Sequence, residues 1–497
     1  MRGKTMVIGS ILLVLLTVSN CTVSPTAKPE QTTNHIYWPT QGWRTSPPEE
    51  QGFDSAILAD ELQSLQEKNV AMDSLLIIRN GYVVLDAYFA PYDGSFPHKL
   101  ASVTKSMMTT LIGIAIDEGQ IQLDQPMLSF FPGRTIANLD DRKEHITIRH
   151  LVSNRNGFAS GCLGGDEPTL NAMRSNPDWV QAALDRKMTG EPGADFCYDS
   201  PGMHLLSAIL QEATGVTALE FAQKNLFEPL GIHEVLWRAD PQGFTRGWGD
   251  LYLKPLDAAK LGYLWLHKGV WEDRQIVSTS WVEDSVKAYS QTGMDGYGYG
   301  WWVSSDSYYA FGRGGQNIKV YPAYNAVIVT TGSSFDYDQL NPLLKAAFVD
   351  PSRPLPANPA NVSKLNAVVS ALVQPAESTH ASALPDIPKE ILGKTYLFEL
   401  NPINLSSLKL DSYDSSQVIL SIKLEGLDVI WLIGLDGKYR LASSGQALRG
   451  YWADPQTLAV DIYEDRVSTV YLRFAVDHLE VSFSDRGLQL EGQPEKP

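Results

Sequence analysis

Cysteine is scarce in this sequence, with three in 497 residues, too few for a disulfide-dense scaffold or a thiolate metal cluster. Histidine is little commoner: nine are present, none at ligand spacing, and neither an H-E-x-x-H nor a G-x-S-x-G stretch occurs. The chain therefore calls for no metal and no organic cofactor. Basic clusters are missing as well. The formal net charge is -17, without the Lys/Arg block that phosphate binding needs, which excludes nucleic acid as a partner. The one long apolar run lies in the first twenty residues, so no membrane bundle is encoded. No repeat of solenoid or propeller period is present.

What remains is ordinary globular material, 43% apolar and 20% charged, and long enough for a large core with a satellite domain. Its start differs from the rest. Arg2 and Lys4 lead into the apolar run Met6 to Val18, which is too short to span a bilayer and fits a secretory signal over residues 1–20. The run ends V-S-N-C, which resembles a bacterial lipoprotein box. Cys21 would then be lipidated and would anchor the protein to a membrane. Asn20 departs from the small residue usual there, and an ordinary cleaved signal is the alternative. Either way the expected location is the periplasm or cell envelope of a bacterium. Residues 21–50 read as a Pro/Thr-rich tether and N-terminal extension. In an oxidising compartment the remaining pair, Cys162 and Cys197, invites a disulfide, the alternative being two buried thiols.

Asn80-Gly81, set between the β-rich runs of Ser74 to Phe89, predicts a hairpin. From Ser102 to about Ala288 the pattern turns helical, and strands return with G-Y-G-Y-G-W-W-V, Y-Y-A-F-G-R-G-G-Q and N-A-V-I-V-T-T-G. Strands, helices and strands again predict an α+β domain over 51–350, its sheet assembled from both ends of the segment. Prolines at 351, 354, 356, 359, 375, 385 and 388 mark 351–386 as a linker. Within it Leu365, Val368, Val369 and Leu372 fall at helical spacing and predict a short helix packed on one of the domains. Strict alternation at Val418, Leu420, Ile422 and Leu424, and again from Val470 to Phe483, predicts a small antiparallel β domain over 387–497.

Three stretches carry candidate chemistry. Ser102 and Lys105 open an apolar helix at positions i and i+3, on one face, so the ammonium reaches the hydroxyl. A lysine held in a dehydrated site has a lowered pKa and can take the serine proton. The helix N-terminus favours the negative charge that develops on an attacked carbonyl. The competing reading is an N-cap serine beside a solvated lysine. In C-Y-D-S-P-G, Ser200 and Pro201 read as N-cap and N1 of a helix, which leaves Tyr198 just before it as a proton carrier. In F-G-R-G-G-Q, Gly312, Gly314 and Gly315 let another backbone or a ligand approach a strand, the N–H of Gln316 can face a carbonyl oxygen, and Arg313 offers a fixed charge for a carboxylate; the alternative is a glycine-rich bulge with a surface arginine. Trp301 and Trp302 can wall the cleft, but alternation on a strand allows only one of them to do so.

Taken in that order, S-x-x-K, Y-x-S and a glycine-rich strand make the chain resemble the serine β-lactamase and penicillin-binding-protein superfamily. It is most similar to the esterase and 6-aminohexanoate-dimer hydrolase relatives of class C β-lactamases. The resemblance spans roughly Gly52 to Gly332. It implies a β-lactamase/transpeptidase-like fold, an antiparallel sheet flanked by helices with an inserted helical region. It further implies a serine hydrolase acting through an acyl-enzyme on Ser102, with Lys105 and Tyr198 moving protons and the N–H groups of Ser102 and Gln316 holding the oxyanion. Ser200, Arg313, Gly314 and Gly315 would face the substrate, a small ester or amide, with Arg313 suited to one that bears a carboxylate. Ser200 stands where the family has Asn, and Arg313 where it has Lys or His; both speak against β-lactam hydrolysis. The alternatives are a D-alanyl carboxypeptidase or β-lactamase, and a cell-envelope binding protein with an idle Ser-Lys site. Oligomeric state is not encoded legibly.

Overall fold

Asn80 and Gly81 both take positive φ, 51° and 77°, as a two-residue hairpin turn requires, and around that turn the main sheet is built. The computed structural model describes residues 36–160, 167–293, 295–374, 389–424, 426–442, 445–464, 467–485 and 487–495. The proposed signal, most of the tether, Cys21 and Cys162 lie outside the described residues.

In chain order, the elements that position the site are β1 (Arg44–Thr45), α1 (Ser55–Glu67), β2 (Met72–Arg79), β3 (Tyr82–Tyr88), β4 (His98–Lys99), α2 (Val103–Asp117), α3 (Ser200–Thr214), β5 (Leu236–Trp237), β6 (Leu251–Leu253) and α4 (Pro255–Leu266). They continue with β7 (Ser290–Thr292), β8 (Asp295–Tyr297), β9 (Trp302–Val303), β10 (Tyr308–Gly312), β11 (Gln316–Tyr321), β12 (Ala326–Gly332), α5 (Asn341–Ala347) and α6 (Pro359–Leu372). Nine strands form one sheet in the order β1-β3-β2-β12-β11-β10-β9-β8-β7. The hairpin β2–β3 joins the C-terminal strands through β2 and β12, with Ile77 opposite Ile328, so the two ends of the segment meet in mid-sheet.

Each face of that sheet buries a separate core. On one face Leu76, Ile78, Ile318, Val320 and Val329 pack with α2, α3 and α4. On the other, Leu75, Ile77 and Leu85 pack with α1, α5 and α6. The proline-marked segment thus contributes a fourteen-residue helix, α6, whose Leu365, Val368 and Leu372 are buried. Helix α2 is apolar on all sides because it runs through the first core: every residue from Val103 to Ala115 is buried. A three-stranded sheet, β4-β6-β5, stands beside it.

The C-terminal ten strands, Thr395 to Pro494, form a sheet of antiparallel neighbours that closes on itself through one parallel bridge, Gly434 to Arg449, giving a barrel-like domain. Its inward residues Val418, Leu420, Ile422, Val470, Leu472 and Phe474 make the third core. Val476, by contrast, is exposed, because the strand Val467–Phe474 has already ended. The barrel meets the rest of the molecule through Tyr463 and Ala447, which pack on Tyr92 and Phe96.

Beside this apolar contact Lys99, Arg238 and Arg246 gather Asp250 and Glu464. Burial by itself raises both carboxyls, but the cations more than reverse it, and both lie below the usual carboxylate range. A carboxylate with a depressed folded pKa stabilises fully above its unfolded value, near 4, and loses that stabilisation as pH falls through the folded value. Thermal unfolding is therefore expected to change little down to about pH 5 and to ease steadily below it. Glu464→Gln should flatten that acid limb.

Candidate active site

Ser102 sits at the head of α2, and its hydroxyl makes no capping bond to the helix. The first turn is closed without it: Thr104 Oγ1 donates to the Ala101 carbonyl, and Val103 N to that of Leu100. Ala101, immediately before the serine, holds φ at 45°, a left-handed conformation costly for a residue with a Cβ and sustained here by its surroundings. Ser102 Oγ is left to Lys105, whose Nζ stands 3.0 Å away. Lys105 is 1% exposed. Its Nζ also donates to the Trp248 carbonyl at 3.1 Å and lies 4.6 Å from the centre of the Tyr198 ring. Among the described residues no carboxylate pairs with it. A capping serine with a solvated lysine is not what the chain forms.

Tyr198 is held from behind. Cys197 N donates to the Asn154 carbonyl and Ser160 Oγ to that of Tyr198, and Cys197 is disulfide-bonded. The residue after Tyr198 matters more than the sequence suggests. Asp199, not Ser200, is the N-cap of α3, and Ser200 is its buried first residue. The Asp199 carboxylate is fully buried and takes two bonds from Arg186, at 2.6 and 3.0 Å, and one from Asn156 at 2.9 Å. Breaking a buried pair strands the remaining charge. Arg186→Met is expected to destabilise the protein by about 3 kcal/mol or more, read in urea unfolding, and to lower activity by loosening Tyr198.

The Lys105 acceptor, Trp248, belongs to a loop with its own anchor. His204 Nε2 and Asp240 Oδ2 lie 3.0 Å apart, both fully buried, and the His204 ring stands edge-on to Trp248 at 5.1 Å. Burial pushes the imidazole below its usual pKa, more than Asp240 raises it, so His204 is neutral at pH 7. The sequence holds no signal for this contact, because the group that touches Lys105 is a main-chain carbonyl.

At the glycine-rich strand the structure shows which of the three glycines approaches the nucleophile. Gln316 lies opposite Gly312 across the turn Arg313–Gly315, and its amide side chain is spent on the Gly332 main chain and the Arg313 carbonyl. The residue against the nucleophile is Gly312: a Cβ there would stand 2.9 Å from Ser102 N and 2.6 Å from the Leu100 carbonyl. Gly314 and Gly315 have φ of 92° and 97° and pack instead on residues 332–335. Arg313 is exposed at the turn.

A second correction concerns the tryptophans. Trp301 is 2% exposed and stacked on Trp265 in the core, so it is no cleft residue. Trp302 stacks on Tyr198, centroids 6.3 Å apart at 25°, and continues to Tyr309. Among the described residues no group of three or more His, Cys, Asp or Glu is placed to hold a metal ion.

Comparison with known proteins gives a consistent set. The family model described as Beta-lactamase matches residues 58–346. A 6-aminohexanoate-dimer hydrolase from Paenarthrobacter ureafaciens is 26% identical over 326 residues, covering 60% of this chain and 83% of that protein. A lovastatin esterase from Penicillium rubens is 27% identical over 150 residues, covering 27% of this chain and 37% of that one. Among solved structures, EstCE1, a hydrolase with promiscuous acyltransferase activity, superposes with a TM-score of 0.50 at 16% identity, over 60% of this chain and 99% of its own.

Proposed function

The chain belongs to the Beta-lactamase family, and from that premise we propose that it is an exported serine hydrolase cleaving small esters or amides through an acyl-enzyme on Ser102. The observation that carries this reading is the 3.0 Å contact between a Ser102 hydroxyl free of capping duty and a buried lysine that has no carboxylate partner among the described residues.

In the proposed reaction Lys105 Nζ takes the Ser102 proton as Oγ attacks the substrate carbonyl. The oxyanion lies between the Ser102 N–H at the head of α2 and a main-chain N–H from the Gly312 end of β10. Tyr198, over which the amine sits, passes a proton to the departing alcohol or amine. Water then enters, gives its proton back along the same groups, and releases the acid and the serine. Arg313 and the Trp302 face favour an acyl or leaving group that joins an apolar stem to a carboxylate. Export rests on the apolar run Met6 to Val18, and anchoring on lipidation of Cys21.

Hydrolysis of a short-chain p-nitrophenyl ester by the mature protein, beside its Ser102→Ala variant, tests this. Turnover that vanishes with the hydroxyl supports the acyl-enzyme; turnover that survives it places the chemistry elsewhere.

A further inference from the structure

One carboxylate of the C-terminal barrel, far from Ser102 in sequence, engages the small sheet from which the nucleophile turn springs. Glu464 follows directly on the barrel strand Thr457–Tyr463. Its Oε1 accepts from Lys99 Nζ at 3.1 Å and from Tyr252 Oη at 2.8 Å, and lies 3.3 Å from Arg238 Nη2. These donors are not a random trio. Lys99 is on β4, Tyr252 on β6, and Arg238 is the residue just after β5, so each strand of the β4-β6-β5 sheet supplies one. Lys99 and Tyr252 are direct cross-strand partners, as are Tyr252 and Leu236.

That sheet carries both halves of the Ser-Lys pair. Three residues after Lys99 comes Ser102, reached through Leu100, whose N–H donates to the Leu251 carbonyl at 2.8 Å, and through Ala101 in its left-handed conformation. Leu251 N in turn donates to Thr104 Oγ1. Trp248, whose carbonyl holds Lys105, lies three residues before β6. The neighbouring Tyr463 completes the attachment: its hydroxyl is 3.4 Å from His98 Nε2, and His98 is itself bound to Asp73 at 2.9 Å.

We propose that Glu464 is a positioning residue for the Ser102–Lys105 pair, through which the C-terminal barrel completes the catalytic site. Resting on the hydrolase reading above, it adds a role for a domain beyond the family match, which ends at residue 346. A carboxylate with three donors on three adjacent strands fixes their relative slide, and the distance from Ser102 Oγ to Lys105 Nζ depends on that slide. Misplacement by a fraction of an ångström is enough to slow attack.

The test uses the full chain with Glu464→Ala, Glu464→Gln, Lys99→Met and the double variant Glu464→Ala/Lys99→Met. Glu464→Gln keeps an acceptor oxygen for Tyr252 and Lys99 and loses only charge, so it also serves should the alanine variant not fold. For the p-nitrophenyl ester, Glu464→Ala is expected to lower kcat by about tenfold or more with KM changed less than about twofold. Glu464→Gln should recover part of the loss, and Lys99→Met should add little to Glu464→Ala. Hydrogen exchange of the amides from His98 to Lys105 is expected to quicken in the folded Glu464 variants. This readout needs no turnover, so the positioning role is decided even if the ester assay refutes the hydrolase reading. Native kcat and native exchange in either folded Glu464 variant overturn it, as does a loss confined to KM.

Discussion

Lys105→Met and Lys105→Arg are both expected to lose about 10⁴-fold or more in kcat, the same order as Ser102→Ala, and none of these losses should add to another. The three changes remove one proton-transfer unit by different routes. Ser102→Ala removes the attacking oxygen. Lys105→Met keeps the volume of the stem but offers no group to take the proton. Lys105→Arg supplies a positive charge and hydrogen-bond donors, yet a guanidinium does not give up its proton and so cannot accept one. If the lysine served only to stabilise negative charge, the arginine variant would retain substantial rate, and the base assignment would fall. Stability should move oppositely to activity. Lys105 is 1% exposed, with a hydroxyl, a carbonyl and a ring face around it, and a polar nitrogen so placed costs more than an apolar side chain of equal size. Lys105→Met is therefore expected to raise Tm while abolishing turnover, as removal of a strained catalytic group does. Ester hydrolysis and thermal melts on the same preparations check both halves.

Much of this was legible in the sequence, and the boundary between what was and was not has physical causes. The head of α2 announced itself because a polar pair interrupts an otherwise apolar helix, and local spacing suffices to put Ser102 and Lys105 together. The Asn80-Gly81 turn and the alternation of the barrel strands are equally local. Expectations failed where tertiary register decides. Which glycine meets Ser102 depends on the pairing of Gly312 with Gln316, and three glycines within four residues do not reveal their own hairpin offset. Trp301 and Trp302 part company, one into the core and one onto Tyr198, and only packing on Trp265 tells which is core. Asp199 was overlooked because Ser200-Pro201 already made a sufficient helix start; its partners, Arg186 and Asn156, come from other elements. Glu464 lies 365 residues from Lys99, beyond any local pattern.

Gly312→Ala should cost about 100-fold in kcat/KM while leaving a cooperatively folded protein. The argument rests on one missing Cβ. Placed there, it would meet the Leu100 carbonyl at 2.6 Å and Ser102 N at 2.9 Å, closer than carbon tolerates against main-chain atoms that no side-chain rotation can withdraw. Either the end of β10 or the nucleophile turn must yield. Ala101 and Ser102 are the softer side, since β10 is fixed between β9 and β11 whereas Ala101 is already held at φ 45°. Displacing Ser102 N by several tenths of an ångström misaims the attacking oxygen and one donor of the oxyanion site together, and both losses appear in the transition state rather than in substrate binding. The fall should therefore sit in kcat, with KM little changed. Gly314→Ala is the contrasting control. With φ at 92° that position strains any L side chain, and its Cβ would meet Gly332 and Gln316, not Ser102. It should lose more stability than Gly312→Ala and keep more of the rate per folded molecule. If the two variants instead lost rate in proportion to stability, close approach at Gly312 would have no catalytic meaning, and the second oxyanion donor would have to be sought away from β10.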